Sequence, residues 1–390
     1  MHKRLPPVRL RTDRFAHSRK VQAFARTVLT PTRACYLTSI TQKSSKAATR
    51  VAPFLTLVST VGDIMKSFPI RTALTCFVAA ITFSAQAQTV QLNLGHTLAP
   101  DSHYQFMSQR MADLVAKKSN GEMKINLFPQ SQLGGEVKMI QAGRTGGLDL
   151  FITAQAPLTN TVKAYSLFDV PYLFDSVDQA NKVLSGPVGK EFLAMLPQHN
   201  LVGLGFLSVM ERNVFSAKPI NKGSDMAGMK VRVMQSPGYV KAYESFGAQP
   251  TPMAYGDVYM ALQQGVVDGA DTSPDQFLMD KFVEVSKFYN ITRVHYLPAL
   301  LIASKTKFDV LTPKQQQIVQ ESATEALEAG REFYKKSYAE SMDKIKKAGV
   351  QIVQPDIASM KAQTTKTTET LLSAIPDGKA LFDKVQKAKQ

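Results

Sequence analysis

The chain has 390 residues, with 47 basic and 31 acidic side chains, two cysteines, no tryptophan and a formal charge of +16. The charge is lopsided: residues 1 to 64 hold twelve Lys or Arg against only Asp13 and Asp63, in a Ser-, Thr- and Pro-rich run without sustained periodicity. That segment does not read as a domain, and once it is set aside the nucleic-acid partner suggested by the whole-chain charge is excluded.

Met65-Lys66-Ser67-Phe68-Pro69-Ile70-Arg71 forms a basic stretch, Thr72 to Phe83 an apolar one, and Ser84-Ala85-Gln86-Ala87 a small-residue cleavage signal. This is the order of a secretory signal peptide over residues 65–87. Its apolar part, twelve residues, is too short to span a membrane, which takes roughly 20. Residues 1 to 64 then read as an upstream extension ahead of the true initiator Met65, or as an Arg- and Ser-rich organelle transit peptide; a complete signal with its own Met favours the first. Before residue 88 lie 14 of the basic and 2 of the acidic residues, leaving 33 and 29 in the remainder. Cys35 and Cys76 are also lost with the leader, so the mature chain of 303 residues has no disulfide to form, suits an oxidising compartment and is long enough for two cores.

From Gln88 the pattern alternates. A strand over 90–95 leads through the Ala99-Pro100-Asp101-Ser102 turn to a helix ending near Ser119, before Asn120-Gly121. A strand over 123–128, a helix over 135–143 and a strand over 148–152 follow, then helices over 178–184 and 189–196 and a strand over 201–208. Next come a strand over 229–234, helices over 238–246 and 256–264, and a strand over 266–270. This order predicts an α/β protein with mostly parallel sheets. Thr312-Pro313-Lys314-Gln315 is an N-cap, a first-turn proline and a capping-box glutamine, and no proline interrupts the chain from there to Lys347. The resulting helix, about 50 Å long, is expected to brace two lobes through Ile318, Val319, Ala326, Leu327, Phe333, Tyr334, Met342 and Ile345; the alternative is a break at Gly330.

No catalytic or phosphate-binding motif is present, and the mature histidines His96, His103, His199 and His295 are scattered singly. No cofactor, metal site or enzymatic activity is expected. The informative residue is Arg232. In Met229-Lys230-Val231-Arg232-Val233-Met234 the alternation puts Lys230, Arg232 and Met234 on one strand face, and a guanidinium fixed on a strand is suited to clamp a carboxylate. An edge-strand arginine facing water is the alternative.

Six runs carry a resemblance: Gly95-His96-Thr97-Leu98-Ala99-Pro100, Phe128-Pro129-Gln130-Ser131-Gln132-Leu133-Gly134-Gly135, Phe168-Asp169-Val170-Pro171-Tyr172-Leu173-Phe174, Met229 to Val233, Pro250-Thr251-Pro252-Met253-Ala254-Tyr255 and Ala261 to Gly269. In order and spacing, across residues 88 to 350, they resemble the extracytoplasmic solute receptors of tripartite ATP-independent periplasmic (TRAP) transporters. The resemblance implies a bilobal periplasmic-binding-protein fold, two α/β lobes with a hinge. Lobe one would be 88–209 plus 298–337, and lobe two 210–297 plus 338–390. It implies a periplasmic receptor that closes on an organic acid and delivers it to the membrane permease subunits, without the mature chain entering the membrane. Arg232 stands at the family's carboxylate-binding arginine, Arg212 at a second arginine that reaches the ligand or forms a salt bridge, Gln235 at an amide position and Tyr255 at an aromatic wall. Where the family continues with Glu-Asn-Pro, this chain has Asp271, Thr272 and, one residue later, Pro274. A hydroxyl therefore replaces an amide, and Asp271 orients Arg232 or accepts ligand hydroxyls. Gln155 and Gln132 are further candidates. Thr272, Gln235 and Asp271 favour a hydroxylated acid such as a sugar acid, with a C4-dicarboxylate or 2-oxo acid next. A ligand sensor and a periplasmic enzyme are the rival classes.

The exported protein is expected to begin at or within a few residues of Gln88. N-terminal sequencing of periplasmic material checks this, and residues 1 to 64 still attached would remove the leader reading.

Overall fold

The computed structural model describes residues 89–390, so the leader and its cleavage site lie outside the described residues. The first elements are β1 (Val90–Gly95), α1 (His103–Lys118), β2 (Met123–Phe128), α2 (Glu136–Thr145), β3 (Leu150–Ala154), α3 (Gln155–Leu158), α4 (Val177–Ser185) and α5 (Pro187–Leu193). Then come β4 (Leu201–Ser216), β5 (Lys230–Val233), α6 (Pro237–Glu244), β6 (Gln249–Pro252), α7 (Val258–Gln263), β7 (Gly269–Thr272) and α8 (Pro274–Met279). The last are β8 (Phe288–Ser304), α9 (Lys305–Phe308), α10 (Pro313–Lys347), β9 (Gln351–Val353), α11 (Ile357–Ala374) and α12 (Gly378–Ala388).

The strands form one mixed sheet in the order β2-β1-β3-β8-β4-β7-β5-β6, with β9 beside β8. Five of its eight pairings are parallel, as expected, but β8 runs antiparallel to both β3 and β4, and β4 antiparallel to β7. The cause is a pair of long strands, β4 of 16 and β8 of 17 residues. One end of this pair carries β3 along Ala299–Ala303, and the other carries β7 along Asn213–Ser216 and β9 along Phe288–Asn290.

The long strands are not regular. Their register shifts between Gly203 and Gly205, between Phe206 and Val209, and between Arg212 and Val214. Pro298 opposite Val209 sits at the edge of the second shift, a place where a strand tolerates a residue with no N–H. Carbonyls freed by such irregularities need other donors. Gln320 Nε2 donates to Leu204 O and Arg331 Nη1 to Phe206 O, each at 3.0 Å, both from α10.

Helix α10 is unbroken over 35 residues and begins with the expected capping box: Thr312 Oγ1 accepts from Gln315 N at 3.3 Å while Gln315 Oε1 accepts from Thr312 N at 2.9 Å. Gly330 does not break it, because the glycine serves packing. A Cβ there would lie 2.6 Å from Leu207 Cδ1 and 3.0 Å from Met107 Cβ, so α10 crosses β4 and α1 at a distance only glycine permits. Toward its start Ile318, Val319 and Ala323 join the core built on β1, β3 and α1, while Ile345 near its end joins Phe215, Phe277 and Tyr289. The helix thus reaches both cores. The C-terminal helix α12 packs elsewhere: Leu381 and Val385 share a cluster with Phe192 and Leu196, and Lys384 pairs with Glu191 at 2.6 Å. Among the described residues no helix is long and apolar enough to cross a membrane.

Gly330→Val is expected to lower the melting temperature by about 3 to 8 °C, since overpacking by roughly 1 to 3 kcal/mol outweighs any helix-propensity gain. A scanning melt checks it; an unchanged or higher melting point would show that α1 and β4 can yield.

Candidate ligand-binding site

Strand β5 lies inside the sheet, between β7 and β6, so Arg232 is not an edge residue. Val231 and Val233 point into the core on one face, and on the other Arg232 is 1% exposed. Met253 O, at the end of β6, accepts from Arg232 Nε at 3.2 Å and Nη2 at 2.8 Å. Nη1 has no partner. The Tyr255 ring lies 5.8 Å from the guanidinium carbon. Burial, and then the like charge of Arg212, push the Arg232 guanidinium down to about 10. A buried cation with a free donor is a costly arrangement unless an anion completes it.

Arg212, on β4, is satisfied. The register places Val214 opposite Asp271 and Asn213 opposite Thr272. Arg212 Nε donates to Asp271 Oδ2 at 3.0 Å and Nη2 to Oδ1 at 2.9 Å, with a further bond from Nη2 to the Asp271 carbonyl. Burial alone would lower the Arg212 guanidinium, but the Asp271 carboxylate overrides it and holds it above the ordinary arginine range. Burial alone would likewise raise the Asp271 carboxyl, and Arg212 instead holds it below the usual carboxylate range. Asp271 therefore orients Arg212 by direct bonds, where Arg232 or the ligand's hydroxyls were the expected partners.

The other expected residues divide. Thr272 is fully buried and its hydroxyl donates to Gln276 Oε1 at 2.7 Å. The Tyr255 hydroxyl donates to Asp280, whose carboxyl burial pushes up to about 6. Gln235 is half-buried, and its backbone carbonyl accepts from Asn160 Nδ2 at 2.8 Å. Gln132 is exposed in the loop before α2.

Gln155 is fully buried at the start of α3. Its Nε2 donates to Asp169 Oδ1 at 3.0 Å, and its Oε1 has no partner. Asp169 also accepts from the Ser236 hydroxyl at the N-cap of α6, and burial pushes its carboxyl up to about 7. Glu136, in the first turn of α2, accepts from Ala154 N at 2.6 Å; burial raises its carboxyl, with Arg232 and Arg212 pulling the other way. Tyr239 and Tyr243, on α6, are fully buried with unpartnered hydroxyls. Tyr239 is within electrostatic reach of Arg212, Asp271, Asp169 and Arg232, and stacks on His295 at 4.0 Å between centroids. Tyr239 thus links Arg232, the Arg212–Asp271 pair and Asp169 electrostatically, and Arg232 Nη1, Gln155 Oε1 and the Tyr239 and Tyr243 hydroxyls are all buried without partners.

The bacterial extracellular solute-binding proteins of family 7 are described by a model that matches residues 94–373. The chain belongs to this family. It is 31% identical over 280 residues to the 2,3-diketo-L-gulonate-binding periplasmic protein YiaO of Escherichia coli K12, covering 71% of this chain and 85% of that one. Among solved structures it resembles a TRAP periplasmic solute-binding protein from Sulfitobacter sp. NAS-14.1 with bound β-D-galacturonate, at 30% identity and TM-score 0.74, over 76% of this chain and 99% of that one. A second, from Polaromonas sp. JS666 bound to D-erythronate, matches at 32% identity and TM-score 0.74, over 76% and 98% of the two chains. These relatives have the bilobal fold and are substrate-binding proteins of TRAP transporters, not enzymes.

Within this family-7 protein, sequence reasoning missed Glu136, Asp169, Tyr239 and Tyr243. Asp169 had a signal, an acid inside the apolar run Leu167-Phe168-Asp169-Val170. Glu136 looked like an ordinary first-turn acid.

Asp271→Asn is expected to destabilise the fold by about 3 to 5 kcal/mol at neutral pH, because Arg212 is left buried without its counter-charge. The folded carboxyl lies below its ordinary value of 3.8, so its stabilisation is present above that value and lost as pH falls through the folded one. The gap between wild type and variant should therefore close in strong acid; denaturant melts at pH 7 and below 3 check it, and a constant gap would contradict the linkage.

Proposed function

We propose that this protein captures a hydroxylated monocarboxylate, of the sugar-acid class, between its two lobes and presents it to the subunits of a TRAP permease. The observation that carries the reading is the Arg232 guanidinium, buried in an interior strand with Nη1 free. A carboxylate there converts an under-satisfied charge into a desolvated, charge-assisted pair. The hydroxyls of Tyr239 and Tyr243 and Oε1 of Gln155 are then available to the ligand's hydroxyl groups. The sugar acids bound by the two solved relatives, and the diketogulonate named for the E. coli one, support that class. A C4-dicarboxylate or 2-oxo acid is the second reading, since Arg212 also lines the cluster.

Binding is hinge closure without covalent chemistry. The proposed lobe division at 209/210 and 297/298 is supported by the change of strand partners along β4 and β8, and α12, expected in lobe two, is moved to lobe one for its packing against α5. Export through the leader would put the mature protein in the periplasm, beside a permease driven by an ion gradient. Arg232, Gln155, Tyr255, Gln235 and the Tyr239 and Tyr243 hydroxyls are the proposed ligand contacts, with Thr272 and the Arg212–Asp271 pair behind them.

Arg232→Ala should weaken the best acid from a thermal-shift panel by about 30-fold to several thousand-fold, a loss of roughly 2 to 5 kcal/mol. Arg232→Lys should recover only part, having charge without the planar fork. Calorimetric titration of folded variants checks both. Near-wild-type affinity in Arg232→Ala would remove the clamp, and a panel in which neutral sugars bind and no acid does would remove the substrate class.

A further inference from the structure

We infer that Asp169 sets the ligand selectivity of the cleft by locking the Gln155 amide with its oxygen toward the ligand, so that the site requires a hydroxyl at that point and turns away a second carboxylate. The inference rests on the acid-binding reading of the Arg232 site and specifies what it accepts beyond the first carboxylate.

A primary amide has one accepting and one donating end, and which end meets the ligand depends on what holds the other. Asp169 holds the donating end of Gln155, at 3.0 Å through Oδ1. The rest of Asp169 is already committed. Its Oδ2 accepts from the Ser236 hydroxyl, which also shares a hydrogen bond with Thr159 Oγ1 at 3.1 Å and accepts from Gly238 N at 3.3 Å. Its backbone carbonyl accepts from His295 Nε2 at 3.1 Å. Nor can the side chain swing away: a Cβ on Gly238 would come within 2.4 Å of Asp169 Cβ, so α6 closes directly over it. Gln155 is anchored from behind as well, because Glu136 binds the amide N–H of the preceding Ala154. The outcome is a buried Oε1 with no partner, an acceptor that only a donor can satisfy.

The charges lead to the same selectivity. Arg212 is matched by Asp271, which leaves Arg232 as the cation in want of an anion. One carboxylate satisfies it. A second carboxylate in reach of Gln155 would face its Oε1, with the carboxyls of Asp169 and Glu136 close behind, acceptors meeting an acceptor. A site that hydrogen-bonds a hydroxyl discriminates strongly against a ligand lacking it, because its own buried group is then unpaired. Asp169 acts here as a positioning residue, through Gln155.

The test is titration calorimetry of D-erythronate, D-glucuronate, D-galactonate and succinate against wild type, Gln155→Leu, Asp169→Asn and Arg232→Ala. Wild type should bind at least one hydroxy acid, and prefer it to succinate. Gln155→Leu, which keeps the bulk and removes the acceptor, should weaken that hydroxy acid by roughly 10- to 100-fold and leave succinate unchanged or tighter. Asp169→Asn can meet either end of the amide, so Gln155 is free to turn over and the preference ratio should fall at least tenfold. Arg232→Ala should weaken every acid. If Asp169→Asn does not fold, Gln155→Leu decides. Equal weakening of both ligand classes by Gln155→Leu, or a wild-type preference for succinate, overturns the inference while leaving acid binding intact. If no acid binds wild type, the Arg232 reading fails first and this one with it.

Discussion

Two guanidinium groups are held in the low-dielectric interior, and a carboxylate is in direct contact with only one of them. Arg212 and Asp271 neutralise each other through a two-nitrogen, two-oxygen fork, and the pair is held together by adjacent strands of the same sheet. Arg232, one strand further on, receives only the Met253 carbonyl. The asymmetry shows in their proton affinities: Arg212 is held above the arginine range and Arg232 is pushed down to about 10. Such an unsatisfied cation is tolerable where an anion can complete it, and burial keeps Arg232 dry enough for that completion to matter.

Rigidity in the frame comes from an irregular source. The two longest strands change register three times, and long regular strands would be the stiffer choice if stiffness were all that mattered. The shifts let β4 and β8 serve different partners at each end, and α10 donates side-chain hydrogen bonds to the carbonyls they free. Arg212 lies at the third shift. Asn213 Oδ1 accepts from the backbone N–H of Arg293 at 3.1 Å, and Arg293, with φ of 47°, occupies the left-handed region beside the shift. At such points the backbone is released from the ladder but still hydrogen-bonded.

Local signals in the sequence were read well and pairings poorly. β1 and β2 lie at the expected residues, and the Thr312 cap was complete in four letters, because caps and alternation are set by neighbours along the chain. β8 was missed altogether. It carries Pro298 in its interior and little alternation, since both its faces are buried. The strand expected at Val266 begins instead at Gly269, since Gly265, at φ of 68°, turns the chain and leaves Val266 exposed. That Arg232 lies on a strand was legible from alternation. The partner of Asp271 was not, because whether it meets Arg212 or Arg232 depends on the register of β4 against β7, which no local pattern encodes.

Asp169 and Glu136 make a related point about acids that sequence reading treats as charges. Both carboxyls are raised by burial, and both touch backbone or neutral side chains and no cation directly. Their contribution to the cleft is shape and direction: one fixes the backbone ahead of Gln155, the other fixes its amide. In water an acid beside a binding site would mainly set the potential. In this interior burial raises both carboxyls, that of Asp169 to about 7, and what they fix around Gln155 is the hydrogen-bond pattern. In the proposed site, affinity for an acid would rest on Arg232 and choice among acids on Gln155 and Asp169.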